Sequence, residues 1–191
     1  PFFIFSVLCF GLASGGAVLA AQYFGKQDKE SISKITAITL SISLILSVIF
    51  TLCVLLMPEQ IMRIFSSETD IIELGIKYIQ IQGYTYLLYG VTNSFIILMR
   101  STRTITIGVI ITGSSFFVNI FFNWMFIYGN LGAPAMGVEG AALGTLIART
   151  YELIFLIIYL VFFNKNLNLK ICSFLHWDRT MFKDFLHYSI P

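Results

Sequence analysis

Residues 104–138 read TITIGVIITGSSFFVNIFFNWMFIYGNLGAPAMGV, and not one of these side chains is charged. A helix of about 20 residues crosses the roughly 30 Å hydrocarbon core of a bilayer, so the run is long enough to span and has residues to spare. The surplus is a turn, Gly129-Asn130-Leu131-Gly132-Ala133-Pro134, whose glycines and proline end a helix and start a new direction. The stretch therefore predicts a helix over about 104–128, a turn, and a further helix from 138. Outward from it, residues 1–25, 35–58 and 78–99 are also free of charge, and 153–164 makes a fifth apolar stretch. The reading is an all-α integral membrane protein with spans at about 1–24, 34–57, 72–99, 104–128 and 138–163.

Composition agrees. Hydrophobic side chains make up 57% and charged ones 12%, against about 45–50% and about 25% in soluble domains. Mean hydropathy is +0.85. Disordered, collagen-like, disulfide-rich and nucleic-acid-binding classes are excluded on these figures. Enzyme chemistry finds little support. His176 and His187 lie outside the spans, Cys9, Cys53 and Cys172 have no metal spacing, and no HExxH, GxSxG or phosphate loop occurs. No catalytic residue and no cofactor is expected.

Loop charges set an orientation. Nine Lys and Arg fall in the 25–34, 100–103 and 164–183 segments, against Arg63 and Lys77 in the alternate loops. The positive-inside rule places the nine in the cytoplasm. The first span then runs from outside to inside, which calls for a helix before it. Residue 1 is Pro and the first run is at full strength there, so the chain reads as a piece of a longer protein. Residues 164–184 read as a cytoplasmic amphipathic linker, with Trp177, Met181 and Phe182 among charged neighbours, and 185–191 as the opening of the next helix.

Polar residues inside the spans are costly in lipid and mark places of interest. Asn119 and Asn123 are four apart and share a helix face. Such a pair serves either as interhelical hydrogen-bond glue or as ligands. Asn119 lies about 14 Å and Thr145 about 10 Å from the outer ends of their helices, at 1.5 Å per residue. With Asn123 they occupy the outer half of the membrane, whereas Asn93, seven residues from Arg100, belongs to the inner half. Arg149 and Glu152, at i and i+3, read as a structural ion pair in preference to a transport role. Gly140-xxx-Gly144 marks close helix packing.

Several blocks together resemble the multidrug and toxic compound extrusion (MATE) transporters. They are Gly15-Gly16-Ala17 with Ala21-Gln22-Tyr23-Phe24-Gly25-Lys26, Tyr78, and Arg100-Ser101-Thr102-Arg103-Thr104. Asn119-xxx-Asn123 with Ile127-Tyr128-Gly129 follows, and then Gly137-Val138-Glu139-Gly140-Ala141-Ala142-Leu143-Gly144-Thr145. The resemblance runs through the whole chain and makes it helices two to six, plus the start of seven, of a twelve-helix protein, most of one lobe. It implies a multi-pass protein of the bacterial cytoplasmic membrane, exporting small organic, often cationic, compounds by H⁺ or Na⁺ antiport with alternating access. Its partners would be those compounds, the lipid bilayer and a C-terminal lobe of the same full-length chain, with no nucleic acid. It also implies a cation site at Asn119, Asn123 and Thr145, with the Ala141 carbonyl available for Na⁺, and Tyr78 and Asn93 in the substrate cavity. Two departures stand out. Ser101 and Thr102 replace glycines usual at the inner turn, and Asn123 stands where Asp is frequent. A lipid-linked oligosaccharide flippase of the same superfamily, or a membrane scaffold or receptor, are the alternative functions.

Overall fold

The computed structural model describes residues 1–101, 104–162 and 179–189. Five long helices, α1 (Phe2–Gly25), α2 (Lys29–Leu56), α4 (Thr69–Ser101), α5 (Ile105–Tyr128) and α6 (Val138–Phe162), are accompanied by the short α3 (Pro58–Phe65) and α7 (Arg179–Ser189). No strand occurs among the described residues. Helices α1, α2, α5 and α6 are long and apolar enough to cross a membrane. Helix α4 has the length, 33 residues, but Gln80, Gln82, Asn93 and four tyrosines dilute its hydropathy. It compensates by position, packing against α1, α2 and α6 with Tyr86, Leu98 and Met99 fully enclosed.

The helix ends follow from local chemistry. Asp28 caps α2, accepting hydrogen bonds from the Ser31 backbone N–H at 3.1 Å and the Ser31 hydroxyl at 2.7 Å. This cap starts the helix at Lys29, so the charged residues up to Lys34 are helical rather than loop. Pro58 stops α2 and opens α3 at its first turn. Helix α3 occupies a stretch that reads as loop in the sequence, and Glu59 and Arg63 pair along it at 2.7 Å. Helix α5 ends at Gly129, whose left-handed φ of 74° closes the helix and turns the chain into the short 3₁₀ segment Asn130–Gly132.

Side chains divide by environment. Apolar clusters fill the inside: Phe5, Cys9, Val54, Ile79 and Tyr86 at one end, and Ile32, Leu40, Phe95, Met99, Ile111 and Leu156 at the other. The outer surface is also apolar, with Val7, Phe10, Ile45, Ile49, Phe117 and Ile157 all exposed. An apolar exterior around a bundle is the signature of lipid as solvent.

Helix α7 departs from the expected boundary at 184/185. One continuous helix covers 179–189, and Phe185 is fully buried against Leu19, Ala20, Ile35, Ile38 and Leu98. The dividing line fails because Phe185 is the helix's anchor rather than the beginning of a new element. Gly15 and Gly16 of α1 admit it, lying against Ser189 and Phe185. The remainder of the 164–184 linker, and the end of 185–191, lie outside the described residues.

Two predictions follow from these contacts. A Cβ at Gly140 would stand 2.5 Å from the Phe126 carbonyl oxygen, whereas one at Gly11 meets nothing within 4 Å. Gly140→Ala should therefore destabilise the full-length protein by about 1–3 kcal/mol as overpacking does, and Gly11→Ala should stabilise it by about 0.5–1 kcal/mol through helix propensity. Thermal unfolding in detergent reads both. The Ser31 hydrogen bonds hold the Asp28 carboxyl below its usual pKa of 3.8. A depressed folded-state pKa makes the cap fully effective above the ordinary carboxylate value and removes its contribution as pH falls through the lowered one. Asp28→Asn should keep the cap and flatten the acid limb of the stability profile, while Asp28→Ala should lower stability at neutral pH.

Candidate functional site

Helices α5 and α6 pack backbone to backbone at two glycines. The absent side chains of Gly140 and Gly144 make the room: Gly140 faces the Phe126 carbonyl, and Gly144 faces the Asn123 backbone and amide. Ser115 donates to the Ala148 carbonyl at 3.1 Å lower down the same seam.

This approach lines up the expected cation-site residues. Asn123 Nδ2 donates to Asn119 Oδ1 at 3.0 Å, Asn119 Nδ2 to Thr145 Oγ1 at a long 3.4 Å, and Thr145 Oγ1 to the Ala141 carbonyl at 2.9 Å. All four residues therefore lie in one directional chain of hydrogen bonds. At its head, Asn123 Oδ1 is buried and has no hydrogen-bond partner among the described residues. An unpaired acceptor at the head of a chain of amide, hydroxyl and carbonyl oxygens is chemistry suited to a hard cation or a protonated group.

Below the chain lies a cleft of about 240 Å³ lined by Thr112, Ser115, Phe116, Asn119, Thr145, Ala148 and Arg149. The Arg149 guanidinium donates to Glu152 at 2.6 Å and lies over the Tyr89 ring, 5.1 Å from its centroid. The ion pair expected from the i, i+3 spacing is thus formed, with Glu152 only 2% exposed. That Arg149 also lines the cleft was hidden in the sequence, although its place one helical turn after Thr145 is the signal that puts both on one face.

Tyr78 and Asn93 do not line the cleft. Tyr78 packs on the cluster of Phe5, Val54, Ile79 and Tyr86. Asn93 follows Tyr89 by one turn of α4, and its Nδ2 is buried without a hydrogen-bond partner among the described residues.

The comparison with known proteins agrees with this architecture. A MatE family profile matches residues 2–125, well over half of the chain. The chain belongs to the MatE family. Among relatives of this membrane-transporter family, it is 29% identical to the probable multidrug resistance protein NorM of Bacillus thuringiensis subsp. konkukian, over 95% of this chain and 40% of that one. The fold superposes on an inward-facing multidrug resistance MATE transporter with a TM-score of 0.87 at 24% identity, covering 100% of this chain and 42% of the other. It matches an outward-facing one at 0.85, also at 24% identity, over 99% and 42%. The chain thus spans about two fifths of the length of its MatE relatives.

Proposed function

We propose that the full-length protein is a secondary active exporter of small organic, often cationic, compounds, driven by inward flow of H⁺ or Na⁺ through alternating access. The observation that carries this reading is the unpaired Asn123 Oδ1 at the head of the Asn119–Thr145–Ala141 chain. Magnitudes favour this reading over plain packing glue. Interhelical hydrogen bonds in membranes average about 0.6 kcal/mol, and within this chain of four residues the 3.4 Å bond from Asn119 to Thr145 is the one that crosses from α5 to α6. Leaving a buried acceptor unpaired costs about 1–3 kcal/mol, so as glue the cluster would lose more than it gains. As a cation site, the same oxygen is a ligand in waiting.

In this reading Asn119, Asn123, Thr145 and the Ala141 carbonyl hold the coupling cation, with no further metal. Asn93 belongs to the substrate cavity, its buried Nδ2 supporting that placement, whereas packing already accounts for Tyr78. The protein sits in the bacterial cytoplasmic membrane, crosses it with α1, α2, α4, α5 and α6, and completes its cavity with a C-terminal lobe. The basic segments 25–34, 100–103 and 164–183 face the cytoplasm, on the nine-to-two distribution of basic residues.

Two experiments test the proposal. In proteoliposomes of the full-length protein, Asn119→Ala and Thr145→Ala should each lower gradient-driven dye transport about tenfold, the value of one lost hydrogen bond to a charged group. Asn123→Asp should retain transport and increase its dependence on Na⁺. Wild-type rates in both alanine variants, under imposed Na⁺ and pH gradients, would return the cluster to packing. For orientation, single cysteines replacing the exposed Lys29 and Ser67 in a cysteine-free background are treated with an impermeant thiol reagent on intact cells. Labelling at position 67 and protection at position 29 is expected, and the reverse pattern inverts the topology.

A further inference from the structure

Arg149 is the one charged residue among those lining the α5–α6 cleft. It stands eleven residues into α6, which begins at Val138; at 1.5 Å per residue that is about 16 Å along the axis, near the middle of a roughly 30 Å core. A guanidinium at that depth is costly and is retained where it works.

The ion pair with Glu152 does not fully account for it. The two charges are unequally placed: the Glu152 side chain is 3% exposed, while that of Arg149 is 26% exposed. Glu152 does not line the cleft; Arg149 does. The pair is neutral overall, yet its negative end is enclosed and its positive end is presented. The Tyr89 ring at 5.1 Å and the 2.6 Å bond to Glu152 hold the guanidinium in one orientation. Among the described residues that bond uses one of its five N–H donors. The surrounding wall offers the hydroxyls of Thr112, Ser115 and Thr145, the Asn119 amide and the Phe116 ring, with no carboxylate to neutralise the site.

We propose that Arg149 is a substrate-selecting residue that receives the carboxylate of an exported organic acid or zwitterion. A fixed planar fork in a half-enclosed, otherwise uncharged setting is the geometry that binds a carboxylate through two parallel hydrogen bonds. Phe116 offers an adjoining aromatic or aliphatic part a surface to lie on. The inference rests on the efflux reading above and narrows its substrates: the cleft favours molecules that bring a negative charge to mid-membrane, where Arg149 already supplies the positive one.

The test uses the full-length protein in proteoliposomes under an imposed gradient and two probes, a rhodamine with a free benzoic acid and its methyl ester. Wild type should transport the acid. In the double variant Arg149→Gln/Glu152→Gln, which removes both charges and leaves neither buried alone, the ratio of acid to ester transport should fall about tenfold, the value of a charge-assisted hydrogen bond. Arg149→Lys keeps the charge and the pairing with Glu152 but loses the fork; its ratio should fall about threefold, and it serves if the double variant is not recovered folded. A residue that only stabilises the fold would lower both rates together and leave the ratio unchanged, which overturns the inference. Transport of the ester but not the acid by wild type also overturns it while leaving efflux intact. Transport of neither probe removes the efflux reading, and this inference with it.

Discussion

Everything at the site depends on how closely α5 and α6 lie. In lipid, apolar surface gives no hydrophobic drive for helices to associate, so contact comes from packing and from hydrogen bonds that need short distances. Gly140 against the Phe126 carbonyl and Gly144 against Asn123 supply that closeness. A side chain at either glycine would hold α6 away from α5, and the 3.4 Å bond from Asn119 to Thr145 is already at the limit of a hydrogen bond. The same contact shapes the cleft, because Asn119, Thr145 and Ala148 bound it from the two helices. Position 144 also aims Asn123, whose amide occupies the space where a Cβ would be.

A second polar seam clarifies what makes the first unusual. Along α2, Thr36, Thr39, Ser43 and Ser47 are fully buried. Their hydroxyls are satisfied within the membrane: Thr36, Thr39 and Ser47 donate to carbonyls one turn back, and Ser94 of α4 donates to Ser43 at 2.8 Å. Thr51 donates to the Gly83 carbonyl at 3.0 Å, and Gly90 lies over Ser47. Small hydroxyl residues carry their own acceptor in the preceding turn, so they let helices approach and ask for nothing in return. An asparagine amide cannot close on its own helix in that way. Asn123 therefore keeps an unpaired oxygen where the α2–α4 seam keeps none among these hydroxyls.

Much of this was legible in the sequence because membrane helices announce themselves. The spans read from apolar runs match the long helices to within five residues at each end, and the i, i+4 spacing of Asn119 and Asn123 puts them on one face. Depth arithmetic brought Thr145 to their level without coordinates. Three features were not legible. Helix α3 lies in a segment rich in charge, where Pro58 and the Glu59–Arg63 pair act over single turns. The continuity of α7 depends on Phe185 finding a pocket made by Leu19, Ile38 and Leu98, residues remote in sequence. Helix α4 reads as one more span, yet its polar surface is tolerated because neighbours on several sides cover it.

Arg149 shows why a pair spacing can be right and still incomplete. An i, i+3 Arg–Glu pair says that two charges can neutralise each other, but not which of them is enclosed. That is settled by α4: Tyr89 lies beneath the guanidinium, and the packing of α4 on α6 accompanies burial of Glu152 but leaves Arg149 partly open. A buried carboxylate alone at this depth would be far too costly to keep ionised, and an arginine alone would be nearly so. Together they allow one charge to be presented at mid-membrane while the other holds it there. The Asn119 and Thr145 oxygens one turn above are uncharged, so the cleft carries a positive end and a neutral, oxygen-rich end about 6 Å apart along α6 at 1.5 Å per residue. That polarity runs along α6, and Ser115, Phe116 and Asn119 of α5 close the cleft around it.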